Sequence, residues 1–147
     1  MKTVRTSVPA GSKKTVLAVD GDPLVRQLLV DVLADGDCYN VLTADNGARG
    51  LQRSREFKGE IDLLLTDFQM SGMSGIELAT ALTIDRPRLK VLLLSGFPEG
   101  LLVLNEGWHF LPKPFIASQL RALVVGLLSP DKKFRYADPT PSDQEGG

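Results

Sequence analysis

The sequence is poor in the residues on which disulfide, zinc and histidine chemistry depend. Its 147 residues include a single cysteine, Cys38, and a single histidine, His109. An intrachain disulfide, a zinc cluster and a catalytic histidine pair are therefore excluded. No apolar run approaches the roughly 20 residues that span a bilayer, and residues 1–14 are basic without the apolar stretch of a signal peptide. These absences predict a cytoplasmic protein without a membrane partner.

An excess of charge of one sign is also missing. Seventeen lysines and arginines stand against 18 aspartates and glutamates, for a net charge of −1. No overall field attracts nucleic acid, so we expect no direct nucleic-acid contact. Apolar residues are scarce in residues 1–14 and 130–147, which predicts flexible tails, whereas residues 15–129 are long enough to form one domain with its own core.

Between these tails, short apolar runs alternate with helical patterns. The runs predict strands at residues 15–19, 39–44, 61–66, 90–95 and 108–111, and several are continuously apolar, as expected when both faces of a sheet are covered. Helical spacing predicts helices from Pro23 to Gly36, over 47–57, from Ser74 to Pro87, over 98–105 and over 116–128, with Asp22 and Ser74 as N-caps. Five strand–helix units predict an α/β doubly wound parallel sheet in a single domain.

Polar side chains stand at the ends of these strands. Asp20 and Asp22 follow the first strand, Asp67 ends the third, Ser95 ends the fourth, and Lys113 follows the fifth. Each residue alone is more often structural, as a helix cap, a turn acid or a solvated lysine. Together they predict a site, because ligands of open α/β sheets bind beyond the carboxyl ends of the strands.

Phosphoryl transfer to a carboxylate would use these residue types. Asp67 would be the nucleophile that forms an acyl phosphate, and a second acid would help to hold Mg²⁺, which takes one or two carboxylates and keeps several waters. Lys113 would place a positive charge beside a phosphate oxygen, and the Ser95 hydroxyl would donate to another.

Four segments of the sequence resemble the receiver domain of two-component signalling in their order and spacing. The resemblance covers about residues 15 to 128. They read VLAVDGDP at 16–23, DLLLTDFQMSGMSG at 62–75, VLLLSG at 91–96 and FLPKPF at 110–115. The resemblance implies a flavodoxin-like (βα)5 sheet with strand order 2-1-3-4-5. It also implies that a histidine kinase or a phosphotransfer protein donates the phosphoryl group to Asp67, in a domain that signals rather than acts as an ordinary enzyme.

The resemblance further implies a metal site and a switch. Mg²⁺ would be held by Asp20, Asp67 and the backbone carbonyl of Gln69, with Asp22 as an additional candidate. On phosphorylation the Ser95 hydroxyl would turn toward the phosphate and Phe110 would move inward, which would reshape a face for an unidentified downstream protein or a second copy of the chain. Ordinary packing of Phe110 is an equally good interpretation.

Two positions depart from the family pattern. Gly21 stands where the family has a second acid, so we expect weaker Mg²⁺ binding than in an ordinary receiver, and Ser71 replaces a rigid proline. The leading hypothesis is a stand-alone phosphoacceptor, and the alternative is a pseudo-receiver that binds partners without phosphorylation. A third hypothesis is a haloacid-dehalogenase-type phosphatase, because Asp20-Gly21-Asp22 matches its Asp-x-Asp motif, but it leaves Asp67 unexplained.

Overall fold

Strands and helices alternate along the chain as predicted. The computed structural model describes residues 13–96 and 108–129. Within these residues the elements are β1 (Lys14–Val19), α1 (Pro23–Ala34), β2 (Tyr39–Ala44), α2 (Gly47–Glu56), β3 (Leu63–Asp67), α3 (Gly75–Asp85), β4 (Lys90–Ser95), β5 (Trp108–Pro112) and α4 (Ala117–Leu128).

The strands form one parallel sheet in the order β2-β1-β3-β4-β5, which confirms the predicted topology. Helices α1 and α4 pack on one face of this sheet, and α2 and α3 pack on the other. The consecutive leucines of β3 show how a continuous apolar run serves both faces: Leu63 and Leu65 join the first cluster, and Leu64 joins the second. Each is fully buried, and burying one such side chain contributes roughly 1.5–3 kcal/mol.

Both predicted helix caps are confirmed. The Asp22 carboxylate accepts a hydrogen bond from the Leu24 amide at 2.9 Å, with a proline in the first turn of α1. Ser74 forms a reciprocal capping box with Glu77 at the start of α3, at 3.1 Å and 2.9 Å. These caps fix where α1 and α3 begin, directly beyond the carboxyl ends of β1 and β3.

Several predicted boundaries are wrong by one or two residues. Strand β1 begins at Lys14, inside the predicted tail, and β3 begins at Leu63 rather than at residue 61. The late start of β3 follows from Asp62, whose carboxylate accepts from the Thr15 amide at 2.8 Å and whose own amide donates to the Thr15 carbonyl at 2.8 Å. Helix α1 ends at Ala34, because Asp35 takes an extended backbone with ψ of 126°, and Gly36 follows with the positive φ of 84° that glycine accepts.

Some expectations lie outside the described residues. These are the helix over 98–105, residues 1–12 of the first tail and the second tail over 130–147. Among residues 13–96 and 108–129, no helix combines the length and the apolar character needed to span a bilayer.

Candidate functional site

The carboxyl ends of β1, β3 and β5 bring three predicted site residues into one pocket. The Nζ atom of Lys113 lies 3.2 Å from Oδ2 of Asp20 and 3.4 Å from Oδ1 of Asp67. Asp20 directly follows β1, Asp67 is the last residue of β3, and Lys113 directly follows β5. Residues far apart in sequence therefore meet at one edge of the sheet, as the strand-end pattern predicted.

Asp20 is the most buried member of this group, with a side chain 1% exposed. Its Oδ1 accepts the amide of Asp22 at 2.8 Å, while its Oδ2 accepts the Lys113 ammonium. Its carbonyl oxygen accepts Nη1 of Arg26 at 2.8 Å, and its amide donates to the Ala44 carbonyl at 3.3 Å. Main chain and side chain are thus both held, which orients the carboxylate toward Lys113.

Asp67 lies nearer the solvent, with a side chain 18% exposed. Burial raises the pKa of its carboxyl above the ordinary value, and the nearby charge of Asp20 raises this pKa further. The ion pair with Lys113 and a hydrogen bond from the backbone of Gln69 lower the pKa but do not cancel the rise. The pocket therefore holds two acids that repel each other and one ammonium that stabilises both.

The backbone at Asp67 is held by a close approach that sequence reasoning missed. A Cβ atom on Gly75 would overlap the carbonyl oxygen of Asp67. The Gly75 amide donates to the Phe68 carbonyl at 3.0 Å. The Phe68 amide in turn donates to the carbonyl of Leu94, in β4, at 2.7 Å. The glycine at the first position of α3 is the signal in the sequence, because that helix must begin against the end of β3.

Ser95 and Phe110 occupy the positions that the sequence assigned to a switch. Ser95 is the last residue of β4 and is 3% exposed. Its carbonyl accepts the Lys113 amide at 2.7 Å, so β4 helps to position the lysine. Phe110 is half-buried in β5, opposite Leu93, and packs on the cluster beneath α3.

The two carboxylates of the pocket are ligands of the kind that Mg²⁺ binds. Asp20 and Asp67 offer two carboxylates on one ammonium, and Mg²⁺ is commonly held by one or two carboxylates with waters, so the pair fits this ion. In residues 13–96 and 108–129, no group of three or more His, Cys, Asp and Glu side chains converges. Asp22 is committed to its helix cap. A side chain at Gly21 would have room, because its Cβ would be 3.7 Å from the nearest atom, the Asp45 carbonyl oxygen.

The fold and site together define a class of protein, a parallel five-stranded α/β domain with two acids and a lysine in one pocket at its carboxyl edge. Residues 16–125 match the response regulator receiver domain family. The response regulator receiver protein CpdR of Brucella abortus is 39% identical over 107 residues, covering 65% of this chain and 87% of CpdR. The receiver domain of the hybrid histidine kinase CckA has a similar structure, with a TM-score of 0.68 at 31% identity, covering 78% of this chain and 98% of that domain.

The chain therefore belongs to the response regulator receiver domain family. A third relative, the sensor kinase CckA of Brucella abortus, is 31% identical over 131 residues. The match covers 86% of this chain but only 14% of that kinase. Membership in this family, a signalling family, removes the basis of the phosphatase hypothesis, since the Asp-x-Asp match is accounted for by a receiver's first strand end.

Proposed function

We propose that this chain is a phosphoacceptor of two-component signalling, which takes a phosphoryl group on Asp67 from a histidine kinase or a phosphotransfer protein. The contact of Lys113 with both Asp67 and Asp20 in one pocket supports this proposal most directly. A carboxylate that is 18% exposed can be reached by a donor, while the buried Asp20 beside it cannot.

The transfer itself is a substitution at phosphorus. A carboxylate oxygen of Asp67 attacks the phosphorus atom of a phosphohistidine, the P–O bond forms, and the P–N bond breaks. The ring nitrogen keeps the electron pair of the broken bond and takes up one proton, so a neutral imidazole and an acyl phosphate result. Lys113 contributes positive charge beside the phosphate oxygens, and the Ser95 hydroxyl donates a hydrogen bond to one of them.

The residues proposed to hold Mg²⁺ are Asp20, Asp67 and the backbone carbonyl of Gln69. When bound, the ion offsets the repulsion between the anionic donor and the anionic nucleophile. Gly21 supplies no second acid, so we propose weaker binding than in receivers that have one. Asp22 does not replace it while its carboxylate caps α1.

This weakening is tested by titrating Mg²⁺ into the wild type, Gly21→Asp and the uncharged control Gly21→Asn. The open space at Gly21 should accept both side chains. We expect Gly21→Asp to bind Mg²⁺ more tightly than the other two proteins. Equal affinities in all three would contradict the proposed role of this position.

Signalling would follow from a change around Ser95 and Phe110. The buried hydroxyl of Ser95 would turn toward the new phosphate, and the half-buried Phe110 would move into the space beside it. The surface near β4 and β5 would then differ between the unphosphorylated and the phosphorylated protein. A downstream protein or a second copy of the chain would bind one of these two surfaces. A cytoplasmic location is proposed with this role, because its donors would be cytoplasmic.

Phosphorylation is tested with acetyl phosphate and Mg²⁺, followed by intact mass measurement. We expect the wild type to gain one phosphoryl group and Asp67→Asn to gain none. The missing acid at Gly21 favours one other candidate, a pseudo-receiver that binds its partners unmodified. A wild type that stays unmodified, together with a Gly21→Asp variant that is modified, would favour this second candidate.

A further inference from the structure

A second cavity lies at the end of the edge strand β2, beside the turn that carries Asp20. Its volume is about 470 Å³, and three arginines from two helices line it: Arg26 of α1, and Arg49 and Arg53 of α2. Thr43 and Asp45, at the end of β2, form part of its wall. We call this cavity the arginine groove.

Two arginines of the groove are anchored to main-chain carbonyls. Nη1 of Arg26 donates to the Asp20 carbonyl at 2.8 Å, and Nε of Arg53 donates to the Thr43 carbonyl at 3.0 Å. Arg49 is held less firmly, because its exposed side chain pairs only with the exposed carboxylate of Asp45, 3.5 Å from Nε. Since a guanidinium has five N–H donors, each arginine retains others for a ligand. The anchoring of Arg26 and Arg53 also reduces the side-chain entropy that binding would remove.

The charges and side-chain types that line the groove indicate the kind of ligand it would bind. Three arginines against Asp45 and Glu56 give a formal charge of +1, and Glu56 accepts a hydrogen bond from Gln52 at 3.1 Å. No aromatic side chain is found among the described residues that line the groove, so a nucleobase or another flat apolar group has nothing to stack on. Guanidinium groups match carboxylate and phosphate oxygens through paired hydrogen bonds.

From this arrangement we propose that the arginine groove binds a small anion that carries two or more carboxylate or phosphate groups. Arg26 links this site to the phosphoacceptor pocket, because the same guanidinium holds the main chain of Asp20. An anion on Arg26 changes how firmly the turn that carries Asp20 is held. The groove is thus a second ligand site, independent of phosphorylation at Asp67, with a route to the pocket.

Binding is measured by calorimetry in Mg²⁺-free, low-salt buffer, with citrate as the carboxylate probe and inorganic pyrophosphate as the phosphate probe. The test variant is Arg49→Gln/Arg53→Gln. The matched control is Arg55→Gln, because Arg55 is on the same helix but pairs with Asp85 at 3.2 Å instead of lining the groove. We expect at least one probe to bind the wild type and Arg55→Gln alike. The double variant should bind about tenfold more weakly, as expected when charge-assisted hydrogen bonds are lost.

Two further proteins separate the groove from the neighbouring pocket. Lys113→Met, at a urea-free condition where its unfolding curve shows it to be folded, should still bind the probe, and the backbone amide resonance of Gly21 should shift on binding in the wild type but not in Arg26→Gln. The proposal is overturned if neither probe binds, if Arg55→Gln loses as much affinity as the double variant, or if folded Lys113→Met no longer binds the probe. None of these readouts depends on phosphorylation, so the proposed phosphoacceptor role stands or falls separately.

Discussion

Replacing Lys113 by methionine should destabilise this domain, because it leaves two carboxylates together without a counter-charge. Lys113 contacts the nearly inaccessible Asp20 at 3.2 Å and Asp67 at 3.4 Å. Methionine keeps the unbranched apolar stem of the lysine and removes only the ammonium. The change therefore isolates the charge of Lys113 from its packing.

The magnitude follows from these distances. At an effective dielectric constant of about 20, a unit pair at 3.2 Å is worth roughly 5 kcal/mol before desolvation is subtracted. Removing one partner of a buried pair typically destabilises a protein by about 3–5 kcal/mol, since the other charge stays buried. The Lys113 side chain is 25% exposed, which lets water replace part of the interaction. We therefore expect a loss near the lower limit, about 3 kcal/mol.

The assay is urea unfolding at neutral and acidic pH. The ammonium of Lys113 lowers the pKa of Asp67, so its removal raises this pKa further above the unfolded value. When the pKa of a carboxyl is higher in the folded than in the unfolded protein, the group does not lower the free energy of unfolding at a pH below the unfolded pKa. As the pH rises through the folded pKa, the free energy of unfolding falls. The loss in Lys113→Met should thus be largest at neutral pH and shrink on acidification, while Lys113→Arg stays near the wild type. A neutral-pH loss under about 0.5 kcal/mol, or one independent of pH, would refute this reasoning.

Three other substitutions test the pocket, the start of α3 beside it and the far end of α3. Asp67→Asn should raise the free energy of unfolding at pH 7, because the pKa of Asp67 is raised, and this gain should vanish below about pH 3.9 in urea titrations. Gly75→Ala should lower thermal stability by more than about 2 kcal/mol, because its methyl group overlaps the Asp67 carbonyl, whereas Gly96→Ala, whose methyl group has no atom of residues 13–96 and 108–129 within 4 Å, should change little. Arg86→Lys should destabilise by about 2–3 kcal/mol in urea, since Arg86 bonds Ser54, Phe57 and Gly59, with the exposed Arg88→Lys as the near-neutral control.

The sheet and the place of the pocket could be predicted because both depend on patterns that repeat along the chain. Apolar runs of strand length alternating with helical spacing leave few ways to cover both faces of a sheet. Once the strands are parallel, residues such as Asp20 and Asp67 must meet at one edge. The helix caps at Asp22 and Ser74 were equally local, since a cap depends on residues two or three positions away.

What the sequence could not reveal depends on contacts between distant segments. Nothing near Lys113 indicates that its ammonium pairs with Asp20 as closely as with Asp67. The fit of Gly75 against Asp67 depends on where α3 meets the sheet. The helical spacing of α1 does not distinguish Arg26 from other polar residues of this helix. In the structure it donates to the Asp20 carbonyl and lines the arginine groove. The polar contacts of long side chains are decided by tertiary packing, which periodicity does not encode.

The most direct test of the central claim is to locate the modified residue after phosphorylation. The wild type is treated with a phosphorylated phosphotransfer protein or acetyl phosphate in Mg²⁺, reduced with borohydride, digested and mapped by mass spectrometry. Borohydride converts an acyl phosphate to an alcohol, so homoserine should replace aspartate at position 67 and at no other acid. Reduction at Asp20 or Asp22 instead, or an unmodified Asp67 in a wild type that has demonstrably taken up phosphate, would contradict the account.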